Sequence, residues 1–197
     1  MTSVVLASTS ASRRALLTNA GVVFEARAPG VDEDAAKASL VAAGATPREV
    51  ADALAELKAI RVSGKVPGLV IGADQTLDLD GALMDKASNI GEARDRLQAL
   101  RGKPHKLHAA VVVAQEGVPI WRELETATLW MRQVSDAFLD AYLEAHGANV
   151  LSAVGCYHLE GEGVQLFERI EGDYFTILGL PMLGLLDLLR RHGALVI

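Results

Sequence analysis

Leu69-Val70-Ile71-Gly72-Ala73-Asp74-Gln75-Thr76-Leu77-Asp78-Leu79-Asp80-Gly81 is the stretch on which the fold turns. Leu69 to Ala73 is a short, uninterrupted apolar run of the kind found in buried strands, and it ends on the acid Asp74. Gln75 to Leu79 continues extended, and Asp80-Gly81 is a strong hairpin-turn signal. An acid at the end of an apolar strand either caps the next turn or is a reactive group held at the rim of a sheet.

On the N-terminal side, Val4 to Ala7 predicts a short strand. It leads through Ser8-Thr9-Ser10-Ala11-Ser12 into a helix carrying Leu16 and Leu17 and stopping at Gly21. Val22 to Ala26 predicts a second strand, and Pro29 to Asp34 a polar loop that includes Glu33. Pro47 opens a helix with Val50, Leu54, Leu57 and Arg61 at helical spacing, ended by Gly64. On the C-terminal side, a helix is expected over Glu92–Leu100, strands over Lys106–Ala114 and Pro119–Met131, and a helix from Ser135-Asp136 to His146. The glycine-punctuated stretch Gly155–Gly163 leads to a strand over Val164–Ile170. Pro181 opens a last helix with Met182, Leu185, Leu186 and Leu189 inward. Strands and helices alternate, but irregularly. The expected class is therefore α/β with a mixed sheet, as one domain over residues 1–197.

The bulk chemistry narrows the function. Half of the 197 residues are apolar and 5% are aromatic, as in a folded globular protein. The formal net charge of −6 gives no electrostatic reason to expect nucleic-acid binding, so an anionic ligand needs local cations and a metal. The single cysteine, Cys156, builds neither a disulfide framework nor a zinc site and reads as a small buried hydrophobe. The N-terminus lacks a signal-peptide pattern and no apolar run is long enough to span a bilayer, so no membrane association is expected and the cytoplasm is the expected location.

Several constellations carry chemistry. Ser8 to Arg14 places hydroxyls and two arginines where a helix N-terminus offers free N–H groups, a natural seat for phosphate. Asp74 with Glu33 is a carboxylate pair that suits Mg²⁺. Lys58 and Lys86 are scattered cations, and Gly155-Cys156-Tyr157-His158-Leu159-Glu160-Gly161 is a loop able to wall a pocket. Taken singly, each has a plainer reading: a hydroxyl cap beside solvated arginines, a capping acid, surface lysines, a structural loop. Neither a Walker-type loop nor a GxGxxG loop is present.

Together these pieces resemble the Maf family of nucleotide pyrophosphatases along nearly the whole chain. The resemblance rests on Leu6-Ala7-Ser8-Thr9-Ser10 with Arg13-Arg14, Val31-Asp32-Glu33, Lys58-Ala59, Ile71-Gly72-Ala73-Asp74, Asp80-Gly81 and Lys86. It continues through Gly102 with His105, Gly155 with Tyr157, Gly161, Ile170-Glu171-Gly172-Asp173-Tyr174 and Gly179-Leu180-Pro181. It implies a twisted mixed sheet flanked by helices, two lobes around a deep cleft, often a homodimer, and a divalent metal, Mg²⁺ or Mn²⁺. It implies hydrolysis of a nucleoside triphosphate to the monophosphate and pyrophosphate. Asp74 is the implied proton acceptor and Glu33 its partner at the metal. Arg13, Lys58 and Lys86 are the implied triphosphate clamp, and Ser8 and Ser10 line the phosphate loop. Ser12, Gln75 and Glu160 are expected to face the base.

The chain departs from the family pattern in two places. Ala11-Ser12 stands where the family commonly has Pro-Arg, and Asp85-Lys86-Ala87 where it has Gly-Lys-Pro, so Asp85 is expected to weaken the clamp or reshape its loop. Gln75 and Glu160, with Leu166-Phe167-Glu168-Arg169, are closer to the branch acting on 7-methyl-GTP, although Ser12 lacks that branch's aromatic side chain. The competing readings are a nucleotide-binding regulator of cell division with little catalysis, and a phosphate-binding structural module.

Overall fold

The structure is a computed structural model that describes residues 2–196. In chain order its elements are β1 (Val4–Ala7), α1 (Ala11–Asn19), β2 (Glu25–Arg27), α2 (Glu33–Ala42), α3 (Pro47–Ser63), β3 (Leu69–Leu79) and β4 (Ala82–Met84). They continue with α4 (Ile90–Leu100), β5 (Pro104–Gln115), β6 (Val118–Met131), α5 (Asp136–His146), β7 (Phe167–Glu171), α6 (Tyr174–Ile177) and α7 (Leu183–Arg191). The seven strands form one mixed sheet in the order β2-β1-β3-β5-β6-β7, with β4 paired to β3 off that path. β1 is parallel to β2 and β3, and all other pairings are antiparallel.

The expected class holds, with local differences that have physical causes. Glu33 opens a helix rather than lying in a loop, because the Asp32 side chain accepts from the Ala35 N–H and caps it. The strand expected at Val22–Ala26 is displaced to Glu25–Arg27, since Val22 packs into the core beside Leu17 instead of pairing. Val164 belongs to a short 3₁₀ turn over Glu162–Leu166, and β7 begins only at Phe167. In the last helix Leu188 is buried, whereas Leu186 is only partly so. Leu57 of α3 is exposed despite its spacing.

β3 is the axis of the molecule. Its two faces alternate, as a strand's must. Ile71 and Ala73 pack with Leu6, Leu17 and Leu185 of β1, α1 and α7. The other face receives α3, whose Ala51, Ala55 and Ala59 lie against Ala110 and Val112 of β5. Small residues on both sides bring helix and sheet close. Gly72 takes this furthest: a Cβ there would lie 2.2 Å from the Ala55 carbonyl oxygen and 2.5 Å from the Ala59 nitrogen. A third cluster, around Leu77, Leu97, Leu129, Leu139 and Phe167, fills the space between the sheet and α4 and α5.

The pairing of β3 leaves a gap. Along one edge it pairs with β1 up to Ala7 opposite Gly72, then with β4 from Met84 opposite Leu77. On its other edge β5 runs alongside without interruption from Val70 to Asp78. Residues 73–76 therefore form a notch between the ends of β1 and β4, with no strand beside them on that edge among the described residues. β1 runs parallel to β3 and β4 antiparallel, so both deliver their following segments, Ser8 onward and Asp85 onward, to this notch.

Candidate active site

A cavity of about 700 Å³ occupies the notch, within the range of small-molecule sites. It is lined by Ser8, Ser10, Ser12, Arg13, Glu33, Lys58, Asp74, Gln75, Lys86 and Glu160. Arg14, the neighbour of Arg13, is exposed and donates to the Thr9 carbonyl instead.

Asp74 is buried and follows Gly72 on the face turned toward α3. The close approach permitted by Gly72 sets Lys58 against it: Nζ lies 2.7 Å from Asp74 Oδ1 and 2.7 Å from Glu33 Oε2. Lys58 is thus not a solvated surface lysine but a buried cation shared by two carboxylates. Both carboxylate oxygens converge on one positive centre. Such a donor pair, facing a cavity where water and phosphate oxygens supply the remaining ligands, suits a hard divalent cation. No group of three or more metal-ligating His, Cys, Asp or Glu occurs among the described residues, so an all-protein cage is not built here.

The loop after β1 performs two jobs. Ser10 caps α1 by accepting from the Arg13 N–H at 3.4 Å, and Ser8 Oγ accepts from the Ser10 N–H at 3.2 Å. The first turn of α1 contains no acid, so its positive end remains available to an anion. Arg13 Nε donates to the Gly179 carbonyl at 2.8 Å, which fixes the guanidinium across the cavity wall. Burial lowers the Arg13 pKa, opposed by Asp74 and then Glu33, and a guanidinium stays charged regardless. Lys86 is also lowered, first by desolvation and then by the charge of Arg13. Asp85 engages Lys37 of α2, so the acid expected to weaken the Lys86 clamp is already neutralised by another lysine.

The opposite end is formed by Gln75 and the 152–160 segment. Gln75 Nε2 donates to the Thr176 and Ile177 carbonyls, both at 2.9 Å, which leaves its Oε1 as an acceptor. Glu160 is exposed at the rim, with Oε1 3.8 Å from His158 Nδ1. His158 Nε2 lies 3.0 Å from the Asn149 carbonyl, so its ring braces the loop. Behind them Tyr157 Oη and His105 Nε2 are 2.7 Å apart, with Phe167 edge-on to the tyrosine ring. Cys156 is buried in the same cluster.

His105 has a consequence for stability. Burial lowers its pKa to about 4 from 6.5. Between these values the unfolded chain takes a proton that the folded chain refuses. Stability present above pH 6.5 is therefore lost as pH falls toward 4, by about 3 kcal/mol in all. His105→Leu is expected to flatten this dependence, measured as a smaller drop in urea midpoint between pH 7 and pH 4.5 than in the unsubstituted protein. An equal drop in both would refute it.

Two contributors were not anticipated from sequence. Gly179 was named only within a longer motif, yet its carbonyl anchors Arg13. Lys37 was not singled out, although it lies four residues after Glu33 and so on the same face of α2. That spacing becomes visible only once residues 33–42 are recognised as a helix. No helix among the described residues is long and apolar enough to cross a membrane.

The Maf-like protein family matches residues 3–192. The chain is 65% identical over its full length to a nucleoside triphosphate pyrophosphatase of Caulobacter vibrioides, covering 99% of that protein. It is 50% identical to a 7-methyl-GTP pyrophosphatase of Rhizobium meliloti, over 97% of this chain and 96% of that one. It is likewise 50% identical to a nucleoside triphosphate pyrophosphatase of Sphingopyxis alaskensis, over 96% of each. On the extent of that match and the identity to these relatives, the chain belongs to the Maf-like protein family.

Proposed function

We propose that this protein hydrolyses a nucleoside triphosphate at the α-phosphorus, releasing the monophosphate and pyrophosphate in the cytoplasm. The observation that carries the reading is Asp74, a buried carboxylate in a notch of the sheet that opens on a cavity also lined by Arg13, Lys58 and Lys86. A triphosphate is strongly anionic, so its cleavage demands charge neutralisation and positioning more than covalent help. Arg13, Lys86 and the N-terminus of α1 hold the phosphates. Asp74 accepts a proton from the attacking water. A bond forms between water oxygen and the α-phosphorus, the bond to the oxygen bridging α- and β-phosphorus breaks, and pyrophosphate leaves with that electron pair. Glu33 and Asp74 would hold Mg²⁺ or Mn²⁺, which when bound neutralises phosphoryl charge.

The base end favours a purine with adjacent N–H donors. Gln75 Oε1 and the Glu160 carboxylate are both acceptors, as a guanine edge requires. A carboxylate also favours a cationic methylated base, in keeping with the name of the Rhizobium relative. Ser12 supplies no aromatic platform, and Tyr157 and His158 are the ring-bearing residues in the cavity wall. With Mg²⁺, kcat/KM for 7-methyl-GTP is expected to exceed that for UTP or dTTP, and Glu160→Gln to narrow the difference by about tenfold. A preference for UTP or dTTP, or an unchanged ratio in Glu160→Gln, would contradict the assignment of the base.

A further inference from the structure

α2 is fastened unlike the other long helices. None of its residues is fully buried, and the element with which it makes extended contact is α3. Its partly buried residues, Glu33, Ala36, Lys37 and Leu40, form one face. From that face two charge pairs reach opposite walls of the cavity. Glu33 meets Lys58 on α3 at 2.7 Å. One turn later, Lys37 meets Asp85, which follows β4 and directly precedes Lys86.

We propose that Lys37 and Asp85 form a clasp that holds α2 across the phosphate end of the cavity and so positions Glu33 and Lys86. They are positioning residues. A helix with no buried anchor lies at the low-stability end of a molecule, and a few polar contacts then decide where it sits. The pair contributes little to global stability, because Asp85 is largely solvated. Its effect is local. Without the clasp α2 swings from its α3 side and carries Glu33 away from Asp74. Asp85, released, is free to pair with the adjacent Lys86 and cancel a phosphate-binding charge. Lys37 therefore also keeps Lys86 available.

The importance of Glu33 and Lys86 rests on the proposed pyrophosphatase reading, but the clasp itself does not. The test is hydrogen–deuterium exchange on the full chain without nucleotide, comparing Lys37→Ala, Asp85→Asn and the charge-exchanged pair Lys37→Asp with Asp85→Lys. Amides of residues 33–42 are expected to exchange roughly three- to fivefold faster in each single variant, as loss of one exposed ion pair implies. The exchanged pair is expected to restore protection, while α3 stays as protected as before. Unchanged exchange in both single variants would overturn the clasp, as would failure of the exchanged pair to restore it. In turnover assays, Asp85→Asn is expected to lower kcat without lowering KM, and the exchanged pair to recover kcat. If Asp85 only offset the charge of Lys86, its removal would lower KM instead, which also overturns the proposal. Absence of turnover in the unsubstituted protein would defeat the pyrophosphatase reading while the exchange experiment still decides the clasp.

Discussion

Gly72→Ala is expected to lower the melting temperature by roughly 6–12 °C, for a loss of about 3 kcal/mol. The added Cβ meets the Ala55 carbonyl oxygen at 2.2 Å, the Ala59 nitrogen at 2.5 Å and the Ala59 Cβ at 2.8 Å. Two of these are backbone atoms of a helix and cannot rotate aside, so α3 as a whole must retreat from β3. Lys58 sits in that helix, one residue before Ala59, and retreats with it. The variant should therefore lose activity beyond what its fraction unfolded explains, because the ammonium no longer bridges Asp74 and Glu33. Gly64→Ala at the end of the same helix is the control: its Cβ would meet only the Ile60 oxygen, at an ordinary 3.6 Å. A Gly72→Ala protein with the melting temperature and activity of the Gly64→Ala control would show that close packing of α3 does not set the site.

The largest effect on turnover is expected from Asp74→Asn. Asparagine keeps the size of aspartate and an oxygen for Lys58, and Glu33 still pairs with that ammonium. The fold should survive, with a melting temperature within a few degrees of the unsubstituted protein. What is lost is the proton acceptor together with one of the two carboxylate charges that would hold the metal, and kcat should fall about 10³-fold. A folded Asp74→Asn protein retaining more than about a tenth of the activity would remove Asp74 from the chemical step.

Much of this was legible in the sequence, for reasons visible in particular residues. The strand from Leu69 showed itself through an apolar run, and its hairpin through Asp80-Gly81. Helices α1 and α5 announced themselves by hydroxyls ahead of them, and the structure uses Ser10 and Ser135 as caps; α3 announced itself by Pro47, while its capping residue, Thr46, emerged only in the structure. What sequence could not convey depended on three-dimensional closure. α2 has no buried residue and hence no apolar stripe to betray it. Val164 carries strand-like chemistry but occupies a 3₁₀ turn, where Gly163 packs against the His158 backbone too closely for a Cβ. Lys58 looked like any surface lysine, because its burial follows from Gly72, fourteen residues away in sequence, admitting the helix to the sheet. Asp85 looked like a defect in the clamp until Lys37, on an unforeseen helix, was found beside it. The site residues were individually ambiguous, and their order along the chain made the family recognisable. The notch between β1 and β4 explains physically why they meet.

The central claim is that water attacks the α-phosphorus within this notch. The direct measurement is hydrolysis of one accepted nucleotide in ¹⁸O-labelled water with Mg²⁺, with mass analysis of both products. The account predicts one labelled oxygen in the nucleoside monophosphate, unlabelled pyrophosphate in equal amount and no orthophosphate. Label in the pyrophosphate, or orthophosphate as the primary product, would place the attack at another phosphorus and contradict it.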